Sequence, residues 1–469
     1  MIRLYSACWT VLALTSLAAT APAQAVSFTP LGPGTFAYAM SDNGEFIAGS
    51  GLDGFIWTEL GGLQTGLGTD FSVAGISADG STVVGRGDNA GPDEAAYWSV
   101  IDGYHLLGNA GGASGCPDLG GLDDVSADGN TGVGISWQGC RTSPQRWTKG
   151  AGLTLMAKQD PNSSARAICV SGDGLVSGGW DRGFSTGSGS SNRAALWLDD
   201  NTQAFPCVTP SNPTGRGEIL AINSDGSVFG GMTLTSTGFR AFRSTPGDLL
   251  EILPTVPSLG TGGSYRVTAL SEDGSVAVGY FSVLTTVVPV IWLPGQAPQT
   301  ILELLAADGI TVDAGTFMRT VTAISADGSR MCGWGFGGGS WLIELNFVWQ
   351  DLGHALAGTN GEPALTPTGS LNPGSLFSLE LSNALGNAPV WIIIGLSQIN
   401  APLKGGVLVP SPDLLLPGFS TDAAGNLAVS SGWPPGVPSG FVTYLQEWIV
   451  DPAGPQNVAA SNAVAGTAP

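Results

Sequence analysis

Lysine, histidine and net positive charge are what this chain has least of. Only 11% of its residues are charged, and the 16 Lys and Arg face 37 Asp and Glu, for a net charge of −21. The lysines are three, Lys149, Lys158 and Lys404. Nucleic-acid binding rests on clustered Lys and Arg, so DNA and RNA are excluded as partners. Histidine occurs twice, as His105 in an outer-strand-like segment and as His354. Neither sits in a local context that supplies a nucleophile and an orienting acid, which speaks against histidine-dependent catalysis. Beyond the N-terminus no run approaches the roughly 18 apolar residues of a membrane helix. No CxxC or Cys/His spacing suggests zinc, and no cofactor is expected.

The first 25 residues have the pattern of a secretory signal peptide. Arg3 precedes a short apolar core from Val11 to Ala19, and Ala21-Pro22-Ala23-Gln24-Ala25 supplies small residues for cleavage. A secreted or periplasmic, cell-surface location follows. Cysteines can pair there, and five remain beyond the leader: Cys116, Cys140, Cys169, Cys207 and Cys332. Cys116 with Cys140 is the first candidate pair, because both lie in Gly-rich sequence flanking one repeat. Cys169 with Cys207 is a weaker one. Cys332 occupies a position filled elsewhere by Val84, Val133 or Val278, and reads as a buried free thiol.

What the chain has in abundance is glycine and proline, 72 and 30 residues. Both punctuate short strands and disfavour long helices, so an all-β fold is expected. One stretch recurs seven times: AMSDNGEFIAG from Ala39, GISADGSTVVG from Gly75, DVSADGNTGVG from Asp124, CVSGDGLVSGG from Cys169, AINSDGSVFGG from Ala221, ALSEDGSVAVG from Ala269 and AISADGSRMCG from Ala323. Its glycine falls at Gly44, Gly80, Gly129, Gly174, Gly226, Gly274 and Gly328, intervals of 36 to 54 residues. That is the length of a four-stranded propeller blade.

Six copies contain Asp-Gly at the turn: Asp79-Gly80, Asp128-Gly129, Asp173-Gly174, Asp225-Gly226, Asp273-Gly274 and Asp327-Gly328. Asp-Gly between two β-like runs is a hairpin signal, because Gly accepts a positive φ and Asp closes the turn with its side chain. The serines before it read as partners of the turn. Downstream of each hairpin comes an aromatic, Trp57, Trp98, Trp147, Trp197, Phe242, Trp292 or Trp341, and then an outer strand after a Gly-Leu pair. Four strands per unit, seven times, predict a seven-bladed β-propeller over residues 26–346. Val26 to Leu31 is placed to pair with the last blade beside Trp341 to Leu345 and close the ring.

These units resemble the extracellular repeat family named HAF, whose hairpin reads IS-x-DG-x-x-VVG. The resemblance covers about two thirds of the chain and supplies no catalytic residue. Asn43, Asn223 and Phe242 depart from the pattern. After a connector at 347–362, residues 363–469 change texture and predict a small β-sandwich. The segments SLFSLELSNALGNAPVWIIIGLS and YLQEWIVDPAG resemble a C-terminal module of secreted planctomycete-like proteins.

Chemistry is harder to read. The repeated turn acid could suggest calcium, but each turn offers one carboxylate where calcium loops converge several oxygens. Adjacent acids at Asp93-Glu94 and Asp123-Asp124, and the irregular stretch from Trp180-Asp181-Arg182, break the repeat and are read as loops where a site could be grafted. The repeated tryptophans read as packing between blades, and Trp137, Trp180 and Trp334 as better candidates for stacking a ligand. The expectation is a monomeric binding or cell-surface interaction module for a protein or glycan ligand. The alternative is a polysaccharide hydrolase or lyase using loop carboxylates. A channel with two or three carboxylates and an arginine would mark the enzyme, and a smooth, Gly-lined channel the binder.

Overall fold

The computed structural model describes residues 25–468 apart from 52, 69, 89–92, 111–118, 139, 184–190, 200, 208–211, 213, 245–249, 295, 308, 347–348, 370, 372–375 and 439. All of the expected leader but its last residue, Ala25, thus lies outside the described residues. The chain divides into two compact units, one over Val26–Leu345 and the other over Asn346–Pro469.

In the first unit the described residues form seven four-stranded antiparallel sheets. Each begins with an inner strand: Phe36–Met40, Ser72–Ile76, Gly120–Val125, Ala165–Val170, Gly217–Ile222, Ser264–Leu270 and Thr320–Ile324. Inner strands of successive sheets touch, and that of the last sheet touches that of the first. A closed ring of blades around a central channel, a β-propeller, is the result. The expected closing strand does close it: Ala25–Pro33 joins Gly339–Asn346 in the seventh sheet, where the Ser27 hydroxyl donates to Glu344 Oε2 at 3.0 Å.

The repeated turn is a small hydrogen-bond machine. In the second blade Ser77 Oγ donates to Asp79 Oδ1 (2.7 Å), which also accepts from Ser81 N (2.9 Å), while Ser77 Oγ accepts from Thr82 N (3.0 Å). The same set recurs at Ser126/Asp128, Ser171/Asp173, Ser271/Asp273 and Ser325/Asp327. The two departures keep the geometry. Asn43 Oδ1 accepts from Ser41 Oγ (2.8 Å) and Glu45 N (3.0 Å), and Asn223 Oδ1 takes over the serine's role towards Val228 N (2.9 Å). Gly80 holds φ +71°, and a Cβ there would lie 2.5 Å from the Phe46 ring of the preceding blade. Only glycine meets both demands.

A second glycine is fixed by a feature that periodicity hides. Every inner strand carries a β-bulge at the same place, for example between Val267 and Ala269 opposite Gly279 and Val278. A Cβ on Gly279 would stand 1.9 Å from Arg266 O. Gly49, Gly85, Gly134, Gly179, Gly231 and Gly333 are equally close to an inner-strand carbonyl. The bulge adds twist to the strand that carries it. The last Gly of each motif copy is the residue that permits it.

The repeated aromatics do sit between blades. Trp197, Trp341 and Phe242 are fully buried, and Trp147 and Trp292 nearly so. Indole N–H groups of Trp197, Trp292 and Trp341 donate to Ala157 O, Pro254 O and Phe317 O, each at 2.8 Å. One cluster joins Trp147 to Val84, Ala95 and Leu122, spanning the second and third blades. Another joins Trp57 and Phe55 to Leu342 and Cys332, spanning the seventh and first. Outside the all-β reading stand the one-turn helix Ala314–Phe317 and, longer, the helix Ile301–Ala307. Thr300 and Glu303 cap it reciprocally, Glu303 N to Thr300 Oγ1 (3.1 Å) and Thr300 N to Glu303 Oε2 (2.8 Å).

The second unit is also all-β. Strands Trp349–Gly353, Ala463–Thr467, Val442–Val450, Pro389–Gly395 and Leu414–Ser420 lie side by side in that order, and Ala364–Gly369, Leu376–Ser382 and Leu427–Gly432 form a second sheet. Leu365, Phe377, Leu379, Ile392, Trp433 and Leu445 make a core that draws on both. The stretch read as a connector thus contributes Trp349–Gly353 to a sheet. Glu447 is buried with neither carboxylate oxygen hydrogen-bonded, and burial pushes its pKa to about 8.

Of the cysteines, Cys140 is disulfide-bonded, and its expected partner Cys116 lies outside the described residues. Cys169 and Cys207 are free and buried, so they are not a pair. Cys332 is free and buried, its thiol pushed up to about 12 by burial.

Candidate functional site

The two ends of the channel differ because inner strands run towards the turns. At the turn end, backbone bonds tie neighbouring hairpins together: Ala78 N to Ala127 O (3.0 Å), Ala127 N to Gly172 O (2.9 Å), Glu272 N to Ala326 O (2.7 Å) and Ala326 N to Asp42 O (2.7 Å). That collar carries two carboxylates, Asp42 and Glu272, and burial followed by the Glu272 charge raises the pKa of Asp42. Glu272 Oε2 accepts from Ser224 N (2.9 Å), completing one link of the collar.

At the far end, equivalent positions of the seven inner strands are Phe36, Ser72, Gly121, Arg166, Glu218, Arg266 and Thr320, each paired with the residue after the bulge glycine on the next strand. Asp123, one bulge further along, is held by two neighbours. Arg166 binds it through Nε (2.8 Å) and Nη2 (2.7 Å), and Arg86 through Nη2 (3.2 Å). Burial opposes the charge on Arg166, but Asp123 and then Glu218 offset this and hold its pKa above the ordinary value. Glu218 accepts from Asn192 Nδ2 (2.5 Å), and Asn192 Oδ1 from Arg182 Nε (2.6 Å). A cavity of about 210 Å³ opens beside them, lined by Ser191, Asn192, Arg216, Gly217, Glu218, Met232 and Phe239.

Aromatic rings support the arginines here. Arg182 lies over Trp180 (4.9 Å to the centroid), Arg216 over Phe239 (5.6 Å), Arg266 over Tyr280 (4.8 Å) and Arg319 over Phe336 (3.5 Å). Trp334 meets Phe36 edge-on at 5.2 Å and Tyr38 at 6.1 Å. Trp180 and Trp334, singled out in the sequence as ligand-stacking candidates, are therefore at this mouth. Trp137 pairs with Thr142 near the end of its own hairpin.

Three of the four acids proposed as loop sites lie in strands. Asp123 and Asp124 belong to the inner strand Gly120–Val125. Asp124 bridges two blades, accepting from Val125 N (2.8 Å) and Val170 N (2.9 Å). Burial pushes its pKa to about 7, against those two N–H groups and with the Asp42 and Asp123 charges adding to the rise. Glu94 starts a strand, and Asp93 O accepts from Gly120 N (2.8 Å). Asp181 is fully buried and organises a connection, accepting from Gln159 N (3.0 Å), Gly183 N (2.7 Å) and Gln203 Nε2 (2.9 Å).

The turn aspartates act as closures. Asp79 is held below the usual carboxylate range by the backbone N–H of Ser81 and then by the hydroxyls of Ser81 and Ser77. His105 is on the outermost strand of its blade, its Nε2 2.9 Å from Asp102 O. The string Gly183-Phe184-Ser185-Thr186-Gly187 has nucleophile-elbow spacing. An elbow needs a strand-to-helix turn, whereas here Ser177–Asp181 leads to its antiparallel partner Arg193–Trp197; residues 184–190 lie outside the described ones. No group of three or more His, Cys, Asp or Glu among the described residues is placed to hold a metal ion.

The described residues thus define an all-β protein with a β-propeller unit, and known proteins add little beyond that. No family model and no curated protein matches the chain. Solved structures with some likeness include TolB from Acinetobacter baumannii, at 14% identity and TM-score 0.34 over 48% of this chain, which spans about half (53%) of that protein. Another is oligogalacturonate lyase from Vibrio parahaemolyticus, at 9% identity and TM-score 0.43 over 70% of this chain and 98% of the other. Prolyl oligopeptidase B from Galerina marginata shows 9% identity and TM-score 0.39 over 73% and 46%. At these scores the propeller assignment rests on the sheets themselves.

Proposed function

We propose that the protein is an exported binding module of the HAF repeat type whose ligand docks at the channel mouth opposite the turns. The supporting observation is the concentration there of side chains that the fold does not need: Arg216, Arg266 and Arg319 on aromatic supports, with a cavity beside Arg216. The leader-like N-terminus and a disulfide at Cys140 support export, since disulfides persist in oxidising compartments. The ligand is a glycan or a protein surface. A glycan array and affinity electrophoresis test this, comparing the intact mature chain with Trp180→Ala and Trp334→Ala. Retardation by a polysaccharide that disappears in these variants supports the reading. A ligand bound equally by wild type and both variants places the site elsewhere.

A second reading is kept alive by one observation. The channel is not smooth and Gly-lined: it brings Asp123 and Glu218 together with Arg86 and Arg166, the composition set above as the mark of a polysaccharide hydrolase or lyase. Asp123 is neutralised by its two arginines, which leaves Glu218 as the acid or base of such an enzyme. Release of reducing ends or unsaturated products from a bound polysaccharide, abolished by Glu218→Gln, would establish catalysis; binding without turnover leaves the module.

A further inference from the structure

We infer that the ligand of the channel mouth is an acidic glycan, a sugar chain carrying carboxylates at regular intervals. This rests on the reading of the mouth as the binding face. Four successive blades, the fourth to the seventh, each contribute an arginine lying on an aromatic ring: Arg182, Arg216, Arg266 and Arg319. A ring beneath a guanidinium covers one face and fixes its plane, leaving edge N–H groups pre-oriented for a carboxylate.

At three of the four those edges are not fully consumed by the protein; Arg182 instead spends its Nε on Asn192 Oδ1 (2.6 Å). Arg216 Nε, Arg266 Nε and Arg319 Nη1 are buried and have no hydrogen-bond partner, and none of the four arginines makes an ion pair among the described residues. Arg240 shows what a structural arginine looks like in the same blade. Its two terminal nitrogens donate to the carbonyls of Phe239, Gly263, Thr237 and Thr261 at 2.7 to 2.8 Å. In a chain with 37 acids, arginines without one are poised for charge from outside.

Neighbouring groups select a sugar over other polyanions. Glu218 and Asn192 line the cavity with Arg216 and offer oxygens that accept from hydroxyls, which phosphate backbones and acidic side chains do not provide. An acidic peptide would also seek partners for its amides, but the inner strands spend theirs on blade ladders. A net charge of −21 opposes nucleic acid.

The test titrates the intact mature chain with alginate, with its propylene-glycol ester, with dextran and with polyaspartate. Alginate is expected to bind at least tenfold more tightly than the ester or dextran, and more tightly as salt falls. Arg216→Gln combined with Arg266→Gln should weaken alginate binding at least tenfold, whereas Lys149→Gln combined with Lys404→Gln, which removes as much charge elsewhere, should not. Melting temperatures of both double variants control for folding, and the salt dependence of the wild type reads the charge contribution with no variant at all. Failure to bind alginate, equal binding of the ester, preference for polyaspartate, or equal loss in both double variants overturns the inference. Binding of dextran or ester that Trp180→Ala abolishes would overturn it while leaving the mouth as the binding face.

Discussion

At the turn end of the channel one hydrogen-bond pattern is executed seven times, with Asn43 and Asn223 as its only substitutions in the acceptor roles. At the far end the equivalent inner-strand positions hold Phe36, Ser72, Gly121, Arg166, Glu218, Arg266 and Thr320, six residue types at seven places on one backbone geometry. Every blade must turn, bulge and lean on its neighbour in the same way, so the residues that do this repeat. A ligand meets the mouth once, from outside, and imposes no repetition. Regularity thus marks scaffold and irregularity marks candidate function, but only with position added: Asp124 breaks the repeat and is nonetheless structural, clasping Val170 N across a blade boundary.

The largest effect should come from the scaffold's tightest contact. Gly279→Ala sets a methyl 1.9 Å from Arg266 O and must open the bulge; a loss on the order of 4 kcal/mol is expected from a denaturant midpoint. A loss near 1 kcal/mol would show that the bulge bends freely and that the two ends are less unlike than they look.

pH should separate the regular acids from the irregular one. Asp124 is raised from 3.8 to about 7 in the folded chain. Between those values the folded state holds a proton that the unfolded state has released, so stability falls as pH rises from about 4 to about 7. The fall is on the order of 2 to 4 kcal/mol. Asp124→Ala, the residue present at Ala221 and Ala269, should flatten that limb in melts across pH. The turn acids Asp79, Asp128, Asp225, Asp273 and Asp327 are depressed instead. Their contribution is present above the ordinary carboxylate pKa and lost as pH falls through the depressed values. The propeller is therefore expected to be most stable in mild acid. A single turn acid matters less: Asp273→Ala removes the acceptor of Ser271 Oγ and Ser275 N and should cost about 1 kcal/mol.

How much of this the sequence shows depends on the reach of each interaction. The turn was legible because Ser77, Asp79, Gly80 and Thr82 act within six residues, and the closing strand because a ring must be completed. The helix Ile301–Ala307 had a readable signal in Thr300 and Glu303, the spacing of a capping box, which the glycine-rich composition overshadowed. The bulge glycines were visible as letters but not as a cause, since the carbonyl they approach is set by strand register. Asp123 was visible as an oddity, but its partners Arg166 and Arg86 are 43 and 37 residues away on other blades. The arginine–aromatic stacks escaped because Arg216 and Arg266 have no motif of their own; each becomes conspicuous only beside Phe239 or Tyr280.

The smallest expected effect bears hardest on the comparison. Arg266→Gln should change stability by less than about 0.5 kcal/mol, or raise it, because the arginine lacks an ion pair and keeps a buried Nε without a partner. Removing a desolvated charge that the fold does not compensate takes little from the folded state. A group that the scaffold uses behaves otherwise: Arg330 donates to Gly44 O (3.2 Å) and Glu59 Oε2 (3.0 Å) and binds Glu344, joining the seventh blade to the first, and Arg330→Gln should lower the melting temperature. The paired melts decide what Arg266 is for. An unchanged or higher melting temperature beside a lower affinity is the signature of a residue kept for binding at the expense of stability. A fall matching that of Arg330→Gln would return the far end of the channel to the scaffold.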